Sequence, residues 1–353
     1  MVFSLLLIAL SVFAVVVVLI PPGRWLALKI GLVDAPGGRK QHDDAVPPIG
    51  GLVIFPVFMA SVMLMGGDPA VYGPLFIALI MILVTGAIDD FMPLHAWLKF
   101  SVQLSASALV VVFGGAQIEN LGNMFGFGEI HLGWGAVPFS IAAVALLVNS
   151  INLMDGLDGL AAGKGFVVLG WLVLACLIAG EPEGAVMMMP LLGALAGFLV
   201  YNMRHPMRDK ASVFLGDAGS TGLGLVLAWF CIALTQQSEP VLVPISVAWI
   251  VALPVMDACG QFYRRVREGR HPFAPDRGHF HHHFIHAGVP VGRSTAMILL
   301  LGFVLGGIGY FSIYAGVPQA VMTLGWIALL FSHMAVSVRS EYYIRLFSRI
   351  ASR

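Results

Sequence analysis

Apolar residues do not alternate along this chain; they come in long runs. Eleven stand out, at 3–20, 49–66, 73–90, 97–115, 136–153, 165–180, 185–201, 213–235, 240–259, 295–315 and 318–336. A helix needs about 20 mostly apolar residues to cross a bilayer core, and these runs approach that length. Several are interrupted by Gly and Pro, which spanning helices tolerate where they pack against protein. The pattern predicts an all-α integral membrane protein: a bundle of about eleven transmembrane helices over residues 1–336. A tail at 337–353 follows, in which Arg alternates with Tyr342, Tyr343, Leu346, Phe347 and Ile350. That alternation fits an amphipathic helix lying at the interface, read as an anchor with no part in the chemistry. Residues 3–20 lack a basic leader and a small-residue cleavage site, so they read as a retained first span.

Composition excludes the soluble alternative. Only 11% of the 353 residues are charged and 59% are hydrophobic, whereas a soluble domain is about a quarter charged. The three cysteines, Cys176, Cys231 and Cys259, lie in or at the end of apolar runs without metal or disulfide spacing, and read as small buried residues.

The net charge is zero, but its distribution is uneven. With eleven spans, all 19 Lys and Arg fall in 21–48, 87–99, 154–164, 202–212, 260–294 and the tail, on one side. The other side carries Asp68, Glu119, Glu129, Glu181, Glu183 and Glu239. The positive-inside rule makes the basic side cytoplasmic, with the N-terminus outside and the C-terminus inside. The Gly-rich outer stretch 114–135 reads as a small hairpin.

The polar chemistry gathers on the same cytoplasmic side, in segments 21–48, 87–99, 149–164, 202–217 and 260–294. Charge near a bilayer interior is costly, so acids there are functional candidates by default. Arg39-Lys40-Gln41-His42 precede Pro47-Pro48-Ile49-Gly50-Gly51, which suits phosphate binding, although taken alone a positive-inside anchor explains them better. Asp89-Asp90 end the third run, with Lys99 following; paired carboxylates offer oxygen to Mg²⁺ or act as base, although a lone pair also describes ordinary helix-end acids. Asn149, Asn152, Asp155 and Asp158 repeat at intervals of three, each Asp followed by Gly. That spacing puts the amides on one helix face and lets a ligand approach the backbone; this is the strongest local signal. Asp217 stands between Gly216 and Ala218-Gly219 at the start of an apolar run, as a metal ligand or as an acid favoured by the helix dipole. Segment 260–294 joins Arg264, Arg265 and Arg267 to His271 and to His279, His281, His282 and His283, a mixture suited to an anionic substrate with a proton to manage. A solvated loop or a transition-metal site are the alternatives for the histidines. Carboxylates, amides and cations without a Ser or Cys nucleophile motif make the inventory for Mg²⁺-assisted phosphoryl transfer.

Five elements in order, RKQH…PPIGG, a run ending in DD, NSINLMDGLDGLAAG, FLGDAGS and PFAPDRGHFHHHF, resemble the polyprenyl-phosphate N-acetylhexosamine-1-phosphate transferases. The resemblance covers residues 34 to 286. It implies transfer of an N-acetylhexosamine 1-phosphate, GlcNAc by preference, from a UDP-sugar to undecaprenyl or another polyprenyl phosphate. UMP is released, and cell-envelope polysaccharide synthesis at the bacterial inner membrane begins. It implies Mg²⁺ as cofactor with Mn²⁺ as substitute, a homodimer, and no nucleic-acid partner. It assigns Asp217 and Asn152 to the metal and Asp89, Asp90, Asp217 and His279 to catalysis. Lys40, Lys99, Asn149, Asn152, Asp155, Asp158, Arg265, His281 and His282 would bind substrate. Pro93 stands where many GlcNAc-type members carry a third acid. The His281–His283 run resembles instead the phospho-N-acetylmuramoyl-pentapeptide branch, the alternative donor class.

Two readings from other classes compete. A secondary transporter would explain intramembrane acids and Gly-broken helices, yet these acids cluster at helix ends and no inverted repeat is visible. A metal transporter built on the histidines leaves the NxxNxxDGxDG run unexplained. The CDP-alcohol phosphotransferases need an Arg that Gly159–Gly163 does not supply.

Overall fold

The computed structural model describes residues 2–34, 45–271, 278–339 and 341–351. These form helices α1 (Val2–Ile30), α2 (Gly50–Leu64), α3 (Pro69–Phe91), α4 (Ala96–Val112), α5 (Ala136–Met154), α6 (Leu160–Ala179) and α7 (Pro182–Asn202). They continue with α8 (Gly216–Ala233), α9 (Pro244–Ile250), α10 (Ala252–Arg267), α11 (Phe280–His286), α12 (Val291–Tyr314), α13 (Gln319–Ser337) and α14 (Glu341–Ala351). Eight helices are long and apolar enough to cross a membrane, nine if the bent pair α9–α10 counts as one span, and α2 and α4 are shorter apolar helices. Each apolar run of the sequence falls on one of these helices except 240–259, which is divided between α9 and α10. The protein is an all-helical, multi-pass membrane protein; the described residues contain isolated β-bridges but no strand.

α8 is the hub. It packs against α2, α3, α5 and α6, and 83% of its apolar window is buried. Small residues let the backbones close in, as membrane helix packing requires. A Cβ on Gly86 of α3 would lie 2.3 Å from the Cα of Ala218, and one on Gly51 of α2 would lie 2.4 Å from the Cα of Gly219. Both contacts flank Asp217.

Three expectations need correction. First, segment 21–48 is not a loop from residue 21: α1 runs through Pro21 and Pro22 to Ile30. A proline inside a helix leaves the carbonyl four residues back without its donor. Here the Tyr201 hydroxyl donates to the Val17 carbonyl at 3.0 Å and repairs the gap left by Pro21. Second, Lys164 does not belong to a cytoplasmic loop. It lies in α6, wholly buried. Third, run 240–259 is not one helix: α9 and α10 meet at a 75° bend. The two corrections are linked. The residue four after Ile250 is Pro254, which has no N–H to offer, and Lys164 Nζ donates to the Ile250 carbonyl at 3.1 Å. The buried lysine thus satisfies a backbone acceptor at the break, and segment 260–294 opens as helix α10 rather than as loop.

The Gly-rich stretch 114–135 does form a hairpin. Leu121 N–H donates to the Ile130 carbonyl and Ile130 N–H to that of Gly122. Gln236 Oε1 anchors it by accepting from the backbone of Glu119 and Asn120 at 2.9 and 3.1 Å.

A carboxylate–lysine centre beside a histidine helix

The ends of α3, α4, α5, α8 and α10 converge on a cavity of about 540 Å³. Its polar wall holds Lys99, Asn149, Asn152, Asp217, Arg265 and His279, and its apolar wall includes Trp97, Phe100 and Phe262.

Asp217 sits in the first turn of α8, where the helix dipole favours an anion. Gly216 before it has φ +79°, and a Cβ there would lie 2.6 Å from Asp90 Oδ2. Only glycine fits both the conformation and the space. Asp90 accepts from the Asp217 backbone N–H through Oδ1 at 3.1 Å, and its buried Oδ2 has no hydrogen-bond partner among the described residues. Lys99 bridges the two carboxylates beside it: Nζ lies 2.7 Å from Asp89 Oδ2 and 3.0 Å from Asp217 Oδ2. Asp89 Oδ1 also accepts from Leu94 N–H at 2.8 Å, which fixes the turn between α3 and α4.

The amides meet this centre from α5. Asn152 Nδ2 donates to Asp217 Oδ1 at 3.2 Å and to Ser220 Oγ at 2.9 Å. Asn149 Nδ2 donates to Gln103 Oε1 at 3.0 Å. Asp155, the next residue after α5, is open to water yet deep in the protein mass. Burial, then the nearby charges of Asp217, Asp90 and Asp158, push its carboxyl up to about 8. Asp158 points elsewhere: its Oδ2 accepts from Arg204 Nε at 2.7 Å and Ala211 N–H at 3.3 Å. It braces the loop before α8.

The histidine helix α11 closes the far side. His279 Nδ1 lies 3.0 Å from Asp257 Oδ2, and Arg265 Nη2 lies 3.5 Å from Nε2. With Nδ1–H donating to the carboxylate, Nε2 is the acceptor for the guanidinium. Asp257 also accepts from the Phe280 N–H at 2.8 Å, so it caps α11 and orients its first ring together. His281 stacks on His279, with ring centroids 5.6 Å apart. It covers Gly156, where a Cβ would come within 2.2 Å of its Nε2. Neither ring nitrogen of His281 has a hydrogen-bond partner among the described residues; burial and then the neighbouring His282 hold its pKa well below the usual histidine range. His282 follows, its ring 4.2 Å from that of His281.

The structure therefore brings together Asp89, Asp90, Asp217, Lys99, Asn149, Asn152, Asp155, Arg265, His279, His281 and His282. Asp158 stands at the margin, and Lys40 lies outside the described residues. Four partners were missed from sequence: Asp257, Gln103, Ser220 and Asn202. Asn202 accepts from the Gly159 N–H at 2.9 Å and donates to the Val213 carbonyl at 2.9 Å, tying the Asp155–Asp158 loop to the approach to α8. Asp257 was the most legible of them, being an acid inside an apolar run. No group of three or more His, Cys, Asp or Glu side chains arranged to hold a metal occurs among the described residues. The donors around Asp217 are oxygens and amides, which suit a hard cation, and the unpartnered Asp90 Oδ2 is consistent with such a group nearby.

Residues 72–235, which include Asp89, Asp90, Lys99, Asn149, Asn152 and Asp217, match the family model described as Glycosyl transferase family 4. The undecaprenyl-phosphate alpha-N-acetylglucosaminyl 1-phosphate transferase of Escherichia coli K12 is 30% identical over 349 residues, covering 98% of this chain and 94% of that protein. The enzyme of that name from Salmonella typhi is 31% identical with the same coverage. A probable undecaprenyl-phosphate N-acetylglucosaminyl 1-phosphate transferase of Bacillus subtilis is 31% identical, covering 82% of this chain and 79% of its own. Likeness over nearly the whole length, with the family match spanning the carboxylate–lysine centre, means that this chain belongs to glycosyl transferase family 4.

Proposed function

We propose that the protein transfers N-acetylglucosamine 1-phosphate from UDP-GlcNAc to undecaprenyl phosphate and releases UMP. The observation that carries this reading is Lys99, held between Asp89 and Asp217 on a cavity wall shared with Arg265 and His279. A carboxylate, an ammonium and a guanidinium on one cavity wall, with Asp89 on the same ammonium, support a site at which two phosphates meet.

The acceptor phosphate oxygen attacks the phosphorus bonded to the sugar. The bond from that phosphorus to the UMP oxygen breaks, and UMP leaves with the electron pair. Asp89 takes the acceptor's proton or holds the phosphate in line, with Asp90 fixing the start of α8 beside it. Lys99 moves from its carboxylates to the incoming phosphates. Arg265 and His279 hold the diphosphate, the ring kept in place by Asp257. Asn149 and Gln103 line the pocket beyond. Mg²⁺, when bound, neutralises charge on the diphosphate; Asp217 and Asn152 would hold it, the amide turned to present its oxygen, with Asp155 facing them.

α9 with α10, together with α2 and α4, complete eleven crossings, with the N-terminus outside and the site at the cytoplasmic face of a bacterial plasma membrane. Lys164 leaves the charge count because it serves the bundle interior, and the remaining basic residues keep to one side.

The test is UMP release by purified protein with undecaprenyl phosphate, Mg²⁺ and a panel of UDP-N-acetylhexosamines. UMP that depends on both lipid and Mg²⁺ supports the reading, and the panel identifies the sugar. No UMP from any donor, alongside an active relative, overturns it.

A further inference from the structure

α14 has two faces with different neighbours. Its inner face packs on the histidine helix. Phe347 stacks on Phe284 with ring centroids 3.8 Å apart, and Tyr343 stacks on His283 at 5.3 Å. The Tyr343 hydroxyl lies 2.8 Å from His333 Nδ1 of α13. Phe280, Phe284 and Phe347 are all buried. α11 has seven residues, too few to hold a helix without tertiary support. What packs on it therefore fixes it, and its other side carries His279 and His281 into the site.

The outer face of α14 is open among the described residues. Tyr342 and Leu346, four residues apart on one stripe, are each 54% exposed. Arg345 lies between them, and Arg339 sits just before the helix. With Tyr342 and Glu341 these arginines line a depression of about 430 Å³. Glu341 lies 3.4 Å from Arg345, but both side chains are more than three-quarters exposed, so that pair is weak and a stronger anion can displace it. The helix begins four residues after α13 ends at Ser337, which keeps it at the membrane surface. Apolar side chains beside arginines at that depth are the makings of a helix that lies among anionic headgroups.

We propose that α14 binds the anionic phospholipid headgroups of its leaflet through Arg339, Tyr342, Arg345 and Leu346, and that this contact holds the α11 histidines in place. The docking stands on geometry alone; its effect on turnover rests on the transferase reading above.

The experiment uses the full-length protein in nanodiscs of phosphatidylcholine with or without phosphatidylglycerol. An environment-sensitive dye is placed on L346C in a background with Cys259 replaced, and hydrogen exchange is followed across residues 279–286. Phosphatidylglycerol shifts the dye to the blue and slows exchange in 279–286 severalfold, and the R339Q/R345Q variant loses both responses while keeping its activity in phosphatidylcholine. A dye that stays in water in either lipid, or exchange in 279–286 indifferent to phosphatidylglycerol, overturns the proposal. Both responses intact with no UMP formed in any lipid supports the proposal and counts against the transferase reading instead.

Discussion

Asp257 of α10 holds the imidazole of His279, the residue that starts α11, with its Oδ2 3.0 Å from Nδ1. The two residues are 22 apart in sequence and almost wholly buried. A buried carboxylate on Nδ1 fixes the ring's tautomer and orientation, and the same carboxylate caps α11.

Asp257→Asn keeps an acceptor for the Phe280 N–H but removes the carboxylate from His279. Turnover is expected to fall about 10²-fold or more, in the range a misheld acid–base or binding group costs, while the melting temperature changes little. Steady-state UMP release with thermal unfolding in detergent measures both.

Lys99→Met leaves Asp89 and Asp217 facing one another without the ammonium between them. Loss of one charge donor at a centre of this kind costs about 10²–10³ in kcat. An unchanged kcat would mean that the lysine serves folding alone.

Gly156→Ala tests the packing of His281. The added methyl meets the ring at a distance no real contact allows, so the ring must move. A displacement near 1 Å at a reacting site costs about 10²-fold. Turnover is expected to drop in that range, with an unaltered unfolding midpoint.

Lys164→Met removes the donor to the Ile250 carbonyl. An unpaired buried acceptor costs about 1–3 kcal/mol. In a Pro254→Ala background the residue at 254 has an N–H to offer, so the same change is expected to cost less. A double-mutant cycle on unfolding free energy reads the difference; equal costs in both backgrounds would refute the link.

Asp155 gives a pH signature. Its carboxyl is raised to about 8 in the folded protein, against about 3.9 for an unperturbed Asp. Between those values the folded state holds the extra proton, so Mg²⁺-free stability declines as pH rises and levels off above about 8. Asp155→Asn removes that slope. Because Mg²⁺ competes with the proton, its stabilising effect is expected to grow over the same range. Melting temperatures from about pH 5 to pH 9, with and without Mg²⁺, check both.

Sequence by itself determined the class of this molecule. Run length marks a membrane helix because an apolar segment has few other places to go. The regular spacing of Asn149, Asn152, Asp155 and Asp158 survives into the fold because it is carried by one helix and its exit turn. Costly charges beside apolar runs pointed to Asp89, Asp90 and Asp217 for the same local reason. Only the tertiary structure decided which of these groups meet. Lys99 reaches Asp217 across 118 residues, and Asp158 turns to Arg204 although its spacing matches Asp155. Lys164, basic and near a helix start, reads as a loop residue until the fold brings its Nζ to the Ile250 carbonyl. Such pairings depend on how small residues let α8 nest among its neighbours, and close packing among distant segments leaves no periodic trace in the chain.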